Sequence, residues 1–261
     1  MPLIQQFTNS PLRNFQYIIW DKITHQAICI DPYDINLINS TFDKFDLSLR
    51  AIFNTHEHKD HTHGNESLSP KAKEGVWTHP LAMKIVPGAS RPILDQERIH
   101  FDGIDLEFIY TPGHTQSSIT LVGRKDKDIL FIITGDTLFN AGVGNCYRGG
   151  DPSSLYETIA KIYKLFPDST SVYPGHDYWE NNLKFTKSLL PRNQLVDDIL
   201  GEYKVLLGKG EYLQSSLGLE RRLSTFLQLN NTELRKNLND PNLRKTEKEI
   251  FIELRKLRDS F

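Results

Sequence analysis

The residues best suited to chemistry form the motif His56-x-His58-x-Asp60-His61, which directly follows the apolar run 51–53. Two histidines separated by one residue, at the end of a predicted strand, can turn both imidazoles towards one metal ion. Asp60 and His61 begin a new segment and can reach a second ion nearby. Neutral imidazole nitrogen and carboxylate oxygen suit zinc, and also iron or manganese, so the motif predicts a centre for divalent metal ions.

Three later segments repeat one pattern, in which a predicted strand leads through glycine to a residue that can bind a metal. Segment 110–115 presents His114, segment 133–137 presents Asp136, and segment 173–177 presents His176. Glycine allows the backbone to pass close to a site and turn tightly. Any one of these segments alone is more often an ordinary turn. The three segments together with the motif 56–61, in this order, predict a metal centre.

Other polar residues near the motif receive simpler interpretations. Glu57 is predicted to face solvent, because alternation along an extended segment points it away from the two flanking histidines. His63 is also predicted to face solvent, with a contact to a metal ligand as the alternative. Surface or structural roles are predicted for His25, His79 and His100.

The elements that must position these residues change character near residue 180. Strands are predicted over 15–20, 27–30, 49–54, 106–110, 118–122, 129–134 and 171–173. Helices are predicted over 36–45, 153–165, 182–190, 194–207, 219–227, 232–238 and 246–258. The sequence therefore predicts an α/β catalytic domain over residues 1–179, followed by a helical domain over residues 180–261 that would bind substrate.

Composition limits the classes of protein that fit. The 261 residues include 31 basic and 33 acidic side chains, a net charge of -2, which argues against a nucleic-acid partner. Cys29 and Cys146 lie far apart and in no paired metal spacing, as in proteins of a reducing compartment. The sequence contains no apolar run of membrane-spanning length, and the polar residues within 1–20 lead us to expect no signal peptide. A cytoplasmic protein without a membrane partner is expected.

Together these motifs resemble the metallo-β-lactamase fold superfamily and, within it, the glyoxalase II (hydroxyacylglutathione hydrolase) family. The stretch Gly135–Gly142, the segment 175–178 followed by 182–185, and the C-terminal segments 217–227 and 254–261 carry the finer likeness. The resemblance implies a four-layered αβ/βα sandwich followed by a helical domain.

The resemblance also implies a complete set of ligands for two divalent metal ions, with zinc favoured and iron or manganese possible. The first ion would take His56, His58 and His114. The second would take Asp60, His61 and His176, and Asp136 would bridge the two. In this scheme Asp60 and Asp136 are the catalytic carboxylates: Asp136 holds the ions together, and Asp60 orients a hydroxide that attacks a thioester carbonyl.

The implied substrate is an S-(2-hydroxyacyl)glutathione such as S-D-lactoylglutathione, the thioester of methylglyoxal detoxification. Tyr147 and Tyr178 are expected to touch the thiol part of the substrate, with Asn145 and Arg148 beside them. The family commonly has Lys at the position of Asn145 and Arg at that of Gln228, so weaker binding of the glutathione carboxylates is predicted. Arginines that could compensate are Arg148, Arg221, Arg222 and Arg258.

Four alternatives stay open at this point. A persulfide dioxygenase of the same fold would use a single iron, and another hydrolase of this fold would take a different thioester. A nuclease or RNA-processing member would be expected to have a basic face, and a non-catalytic binding module would be expected to lack some ligands. The predicted enzyme would act as a monomer or weak dimer on a small molecule.

Overall fold

The computed structural model describes residues 3–8, 10–161 and 163–261, and its strands form two six-stranded sheets and one small hairpin. The first sheet has the order β1-β2-β3-β4-β5-β6, with β1 Leu3–Phe7, β2 Phe15–Trp20, β3 Gln26–Ile30, β4 Ser48–Phe53, β5 Val76–Thr78 and β6 Ala89–Pro92. The second has the order β14-β13-β10-β9-β8-β7, with β7 Glu97–Phe101, β8 Ile104–Tyr110, β9 Ile119–Lys125, β10 Asp128–Gly135, β13 Ser171–Pro174 and β14 Ser215–Ser216. The hairpin consists of β11 Leu138–Phe139 and β12 Gly142–Val143.

The described helices either connect strands along the chain or belong to its last third. They are α1 Ile35–Phe45, α2 Lys59–Thr62, α3 Asn65–Leu68, α4 Pro152–Lys161, α5 Trp179–Leu189, α6 Gln194–Gly208, α7 Leu217–Leu223, α8 Thr232–Asn237 and α9 Glu247–Asp259. Short 3-10 turns occur at Ser69–Lys71, Pro80–Ala82, Tyr163–Leu165 and Thr225–Leu227. None of the helices in the described ranges is long and apolar enough to cross a membrane.

Alternation along the strands builds the layers of the sandwich. In β4, Phe53 joins the apolar cluster shared by the two sheets, whereas Ile52 joins the cluster under α1. In β10, Ile133 joins the shared cluster, whereas Ile132 joins a third cluster with the C-terminal helices. Successive side chains point to opposite faces of a sheet, so each sheet is covered on both sides. The predicted αβ/βα arrangement is confirmed.

The C-terminal helices share a core with the second sheet. Val122 of β9 and Leu155 of α4 belong to the same buried cluster as Phe226, Phe251 and Leu254. Strand β14, which precedes α7, pairs antiparallel with β13. The last third of the chain therefore adds the edge strand β14 to the second sheet and packs its helices against that sheet.

Each predicted strand and helix is present, with shifted ends. Strand 15–20 has the predicted bounds. The helix predicted over 153–165 is described as α4 up to Lys161 and as a 3-10 turn from Tyr163, and residue 162 lies outside the described residues. The helix predicted over 219–227 divides into α7 and a 3-10 turn. The sequence missed β1, β5, β6, β7, β11, β12 and β14. Cys29 is buried and Cys146 half-buried, and both are free thiols.

Candidate metal centre

Strand ends deliver the predicted ligands to one place. Strand β10 ends at Gly135, immediately before Asp136, and the parallel neighbour β13 ends at Pro174, two residues before His176. Because parallel strands end at the same edge of a sheet, these two side chains meet. The motif 56–61 follows β4 of the facing sheet and reaches them across the sandwich edge.

The first group of ligand atoms comes from three histidines. His58 Nδ1 lies 3.1 Å from His56 Nε2 and 3.0 Å from His114 Nε2. The donor atoms of these residues converge closely enough to hold one metal ion. His56 and His114 are buried, and His58 is half-buried at the edge of a cleft.

The second group combines two histidines and a carboxylate. His61 Nε2 lies 3.1 Å from His176 Nε2, and Asp60 Oδ2 lies 3.5 and 3.4 Å from those two nitrogens. Their donor atoms also converge on one point. The structure thus brings together two adjacent three-residue groups, as the sequence predicted.

Asp136 touches both groups. Its Oδ2 is 3.4 Å from His114 Nε2 and 3.2 Å from His176 Nε2, while its Oδ1 is 3.3 Å from His61 Nε2. Asp136 is buried, and its Oδ1 accepts no hydrogen bond within the described part of the chain. Such an orphaned buried carboxylate oxygen is costly unless a cation satisfies it.

In three histidines, the ring nitrogen that faces away from the centre fixes the tautomer, and so the protonation of the nitrogen that faces the centre. His114 Nδ1 lies 2.6 Å from Asn145 O, His176 Nδ1 2.8 Å from Leu12 O, and His58 Nε2 3.1 Å from Arg148 O. A carbonyl oxygen only accepts, so each of these outer nitrogens carries the proton and donates it. The inner nitrogens then present lone pairs to the site.

Asp31, which sequence reasoning missed, fixes the remaining two imidazoles. Its Oδ2 lies 2.9 Å from His61 Nδ1 and accepts a 2.6 Å hydrogen bond from Thr55 Oγ1, which in turn lies 3.0 Å from His56 Nδ1. Asp31 directly follows β3, the parallel neighbour of β4. An acidic residue at the end of an adjacent parallel strand was the signal that could have identified it.

Arg13 and Asn14 contact the second ligand group or its neighbours in sequence. Asn14 Nδ2 donates to Asp60 Oδ2 at 2.9 Å, and Asn14 forms an isolated antiparallel bridge with His176. Arg13 forms an ion pair with Asp177, the neighbour of His176. Sequence reasoning did not identify these contacts either, because they depend on the meeting of segments far apart in the chain.

Electrostatics within the site agree with neutral histidines in the first group. Burial lowers the pKa of His56 well below its ordinary value, and neighbouring histidines lower it further. Burial likewise lowers the pKa of His114. Burial alone would raise the pKa of Asp136, but the charges of neighbouring histidines, above all His176 and His61, outweigh it and hold that pKa well below its usual range.

His61 differs from the other histidines. Burial opposes its protonation, but the Asp136 and Asp31 carboxylates outweigh burial and raise its pKa well above the ordinary value. A proton on His61 Nε2 would lie between this nitrogen and Asp136 Oδ1, which are 3.3 Å apart. A bound cation would occupy the same side of the imidazole. The lone pairs and carboxylates of the two groups converge with donor separations of 3.0–3.5 Å, which fits resident divalent metal ions.

Two glycines keep this centre open, as predicted. A Cβ at Gly175 would lie 2.2 Å from Asp136 Oδ1 and 2.9 Å from His61 Cε1. Gly135 has φ +49°, and a Cβ there would lie 2.4 Å from Thr55 Oγ1. A side chain at either position would displace the groups that bind or orient the ligands.

A cleft of about 600 Å³ lies over the centre. Tyr147, Tyr178, Asn145 and Arg148 all line it, together with His58, His114, Asp60, Asp136 and His176. A smaller extension of about 180 Å³ shares Asn145, Tyr147 and Tyr178 with the cleft. The extension also contains Arg258, one of the arginines predicted to compensate for Asn145.

Gln228, where the family commonly has Arg, lines neither the cleft nor its extension, and its amide donates to Arg222 O at 2.9 Å. The expectation about Glu57 was wrong. Glu57 is half-buried rather than solvent-facing, because its carboxylate accepts hydrogen bonds from Thr115 and Ser117. For Glu57, tertiary partners and not local alternation decide the direction of the side chain.

The other histidines lie outside the centre. His63 is exposed and its ring lies tilted against that of Tyr33, so the solvent-facing prediction is confirmed. His25 and His100 are exposed, and His79 stacks on Tyr110 at 4.6 Å. These positions agree with the predicted surface and structural roles.

Comparisons with known proteins cover both parts of the chain. The family model for the metallo-β-lactamase superfamily matches residues 43–176, and that for the hydroxyacylglutathione hydrolase C-terminus matches residues 177–261. The chain is 37% identical to a hydroxyacylglutathione hydrolase of Nitrosococcus oceani, over 100% of both proteins, and 34% identical to one of Polaromonas sp., over 98% of both. The solved structure of ETHE1 from Myxococcus xanthus has a similar fold, with a TM-score of 0.67 at 23% identity over 100% of this chain and 99% of that one.

Proposed function

This chain belongs to the hydroxyacylglutathione hydrolase (glyoxalase II) family of the metallo-β-lactamase superfamily, and on that premise we propose that it hydrolyses S-(2-hydroxyacyl)glutathione thioesters. S-D-lactoylglutathione is the representative substrate, and glutathione and a 2-hydroxy acid are the products. The enzyme would serve methylglyoxal detoxification. The observation that carries the proposal is Asp136, whose carboxylate lies within 3.4 Å of donor nitrogens from both ligand groups.

In this proposal the seven converging side chains hold two divalent metal ions, with zinc as the resident metal. His56, His58 and His114 would hold the first ion, and Asp60, His61 and His176 would hold the second. Asp136 would contribute its carboxylate to both. Imidazole and carboxylate donors suit zinc, and iron or manganese would also be accepted. Two such ions, when bound, lower the pKa of a shared water and polarise the substrate carbonyl.

The protein's own groups orient the reaction. Asn14 donates to Asp60 Oδ2, so this carboxylate is fixed in direction and can orient the attacking water through a hydrogen bond. Water oxygen bonds to the thioester carbonyl carbon and gives up one proton, which passes to solvent. The C–S bond breaks, and the thiolate leaves with the electron pair and takes a proton from solvent to become the free thiol. A thiolate is a good leaving group, so this step requires no strong general acid.

The extension of the cleft would receive the thiol part of the substrate. Tyr178 stacks on His176 at 4.8 Å, and Tyr147 has a 67% exposed side chain beside it. Arg258 donates to Asn182 Oδ1 at 3.2 and 3.1 Å, and its guanidinium can also face a glutathione carboxylate. Asn145 and Arg148 complete the proposed contacts at this end.

We further propose that residues 1–179 act as the catalytic part and residues 180–261 as the part that binds substrate. Arg258 supports this division, because it reaches the cleft extension from α9. The free thiols of Cys29 and Cys146 suit the reducing cytoplasm, and we propose a monomer or weak dimer there.

Ligand variants test the proposed metal centre. Asp60→Ala and His58→Ala should abolish thioester hydrolysis and lower the metal content, because each removes one converging donor. Near-native turnover in either variant would make the ligand assignment wrong. His63→Ala is the matched control, since this exposed histidine is outside both groups and should leave turnover and metal content unchanged.

A substrate comparison tests the proposed thiol. S-D-lactoylglutathione should be hydrolysed far better than a lactoyl thioester of a small thiol, because only glutathione extends to Tyr147 and Arg258. Equal rates would contradict the glutathione assignment but leave a thioester hydrolase. Oxygen consumption with glutathione persulfide, by protein containing one iron per chain, would instead indicate a persulfide dioxygenase.

A further inference from the structure

Part of the cleft wall has no role in the proposed chemistry and is apolar. Leu12, Ile85 and Pro87, here called the apolar lip, line the cleft but not its extension. Leu12 is 49% exposed and Ile85 60% exposed, so both offer apolar surface to whatever enters. The charged residues of the same cleft include Lys59, which is exposed.

Hydrogen bonds hold the lip in register with the second ligand group. Leu12 O accepts from His176 Nδ1 at 2.8 Å. On the other side, Asn65 Nδ2 donates to Pro87 O at 3.1 Å and to Asn54 Oδ1 at 2.8 Å. Asn54 Nδ2 then donates to His61 O at 2.8 Å. Both sides of the lip are therefore connected to histidines of the second group.

The segment carrying Ile85 is also anchored from below. Val86 is 3% exposed and packs into the cluster under the first sheet, so its neighbour Ile85 points outward. Ile85 N and Val86 N both donate to Ala82 O at 2.9 Å. A side chain presented by a fixed backbone binds ligands at a smaller entropic cost than one on a mobile loop.

Thioester geometry gives the lip a function that rests on the proposed function. The two substituents of a thioester carbonyl carbon point away from each other, so a thiol part in the extension directs the acyl part elsewhere in the cleft. We propose that the apolar lip binds the acyl group and selects glutathione thioesters whose 2-hydroxyacyl group carries a bulky apolar substituent. Ile85 and Leu12 are then specificity-determining residues.

A matched pair of substrates isolates this effect. S-D-lactoylglutathione and S-D-mandeloylglutathione share the thiol and the 2-hydroxyl and differ in methyl against phenyl. The wild-type protein should have the higher kcat/KM with the mandeloyl thioester. Ile85→Ala should lower the mandeloyl-to-lactoyl ratio of kcat/KM by about fivefold or more, since one methylene in an apolar pocket changes kcat/KM by roughly tenfold. Leu12→Ala should lower the same ratio.

Leu81 provides the control on the same segment. It is 60% exposed, like Ile85, but it does not line the cleft. Leu81→Ala should leave both kcat/KM values unchanged. A wild-type preference for the lactoyl thioester, or a ratio that Ile85→Ala and Leu12→Ala change no more than Leu81→Ala does, overturns the inference. Failure of metal-loaded wild-type protein to hydrolyse either thioester instead contradicts the proposed function.

Discussion

At the scale of single residues, Asp31 holds the orientation of two imidazoles without reaching the cleft. It is 2% exposed and accepts from the Thr55 amide at 2.8 Å, as well as from Thr55 Oγ1 and His61 Nδ1. An acceptor behind a metal-binding imidazole fixes its tautomer and raises its basicity. Asp31 is therefore expected to matter for metal affinity more than for substrate binding.

Asp31→Asn tests this expectation. The amide can donate as well as accept, so it no longer enforces the lone pair on His61 Nε2. We expect metal affinity to fall by about 10–100-fold, measured by competition with a chromophoric chelator. Asp34→Asn is the matched control, because asparagine caps a helix as well as aspartate does and Asp34 caps α1. Equal affinities in the two variants would contradict the role of Asp31.

Gly175 offers a steric test of the same centre. Gly175→Ala should lower turnover by about 100-fold or more, because its Cβ would overlap Asp136 Oδ1 and misplace a group that must be held closely. Gly201→Ala is the control, since that helical position has no heavy atom within 4 Å of the added Cβ. This control should keep its activity and gain up to about 1 kcal/mol of stability. Full activity in Gly175→Ala would contradict the described packing.

At the scale of elements, the strands that could be predicted are runs rich in apolar residues. Runs such as 27–30 and 129–134 are nearly continuous in apolar residues, as in covered sheets. Strands β6 and β7 lie at sheet edges, alternate half-buried with exposed residues and contain charged side chains, so their sequences resemble loops. Strands β11, β12 and β14 have two residues each, depend on tertiary contacts and leave no recognisable pattern in the sequence.

The same contrast applies to the site. Its ligands follow strands, three of them directly after a glycine, and can be recognised locally, so the sequence predicted all of them to meet. Asn14 and Asp31 support those ligands from other segments, and the chain must fold before their contacts exist. Gln228, where the family commonly has Arg, likewise has contacts that the sequence does not show, because its amide donates to Arg222 O and Ser224 O.

Glu220 joins α7 to the turn between β11 and β12. Its fully buried carboxylate accepts from Ala141 N and Ser215 Oγ at 2.5 Å, and from Asn140 Nδ2 at 2.9 Å. Burial raises its pKa to about 7, although these hydrogen bonds oppose the shift. The joint between the second sheet and the C-terminal helices therefore contains a group that titrates near neutral pH.

The raised pKa predicts a pH-dependent stability. The folded state holds the Glu220 proton more tightly than the unfolded state, whose pKa is near the ordinary 4.5. The resulting stabilisation is complete below about pH 4.5 and is lost as the pH rises through about 7, on the order of 3 kcal/mol in all. Chemical denaturation of wild-type protein from pH 5 to 8 should show this loss relative to Glu220→Gln. The exposed control Glu202→Gln should follow the wild type, and parallel pH profiles for wild type and Glu220→Gln would contradict the assignment.

At the scale of the whole molecule, the catalytic and C-terminal parts share one apolar cluster. Phe251 of α9 is fully buried, with its ring centroid 5.6 Å from that of Tyr156 in α4 and 5.2 Å from that of Phe226. A division of function near residue 180 therefore need not be a division of folding.

Phe251→Ala tests whether the two parts unfold together. Loss of this buried ring should destabilise the protein by about 3–5 kcal/mol and lower the Tm of a single calorimetric transition. If the C-terminal helices formed an independent unit, a second transition would stay at its wild-type temperature. Leu257→Ala is the control on the same helix, because Leu257 is 40% exposed and its loss should change the Tm little.

The two ligand groups joined by Asp136 are expected to hold two metal ions that act together on a thioester. Titration of metal-free protein with zinc, with S-D-lactoylglutathione hydrolysis measured at each point, tests this expectation. We predict that activity rises with metal content and reaches its maximum at two ions per chain. Full activity at one ion per chain, or no hydrolysis with two ions bound, would contradict a two-ion centre.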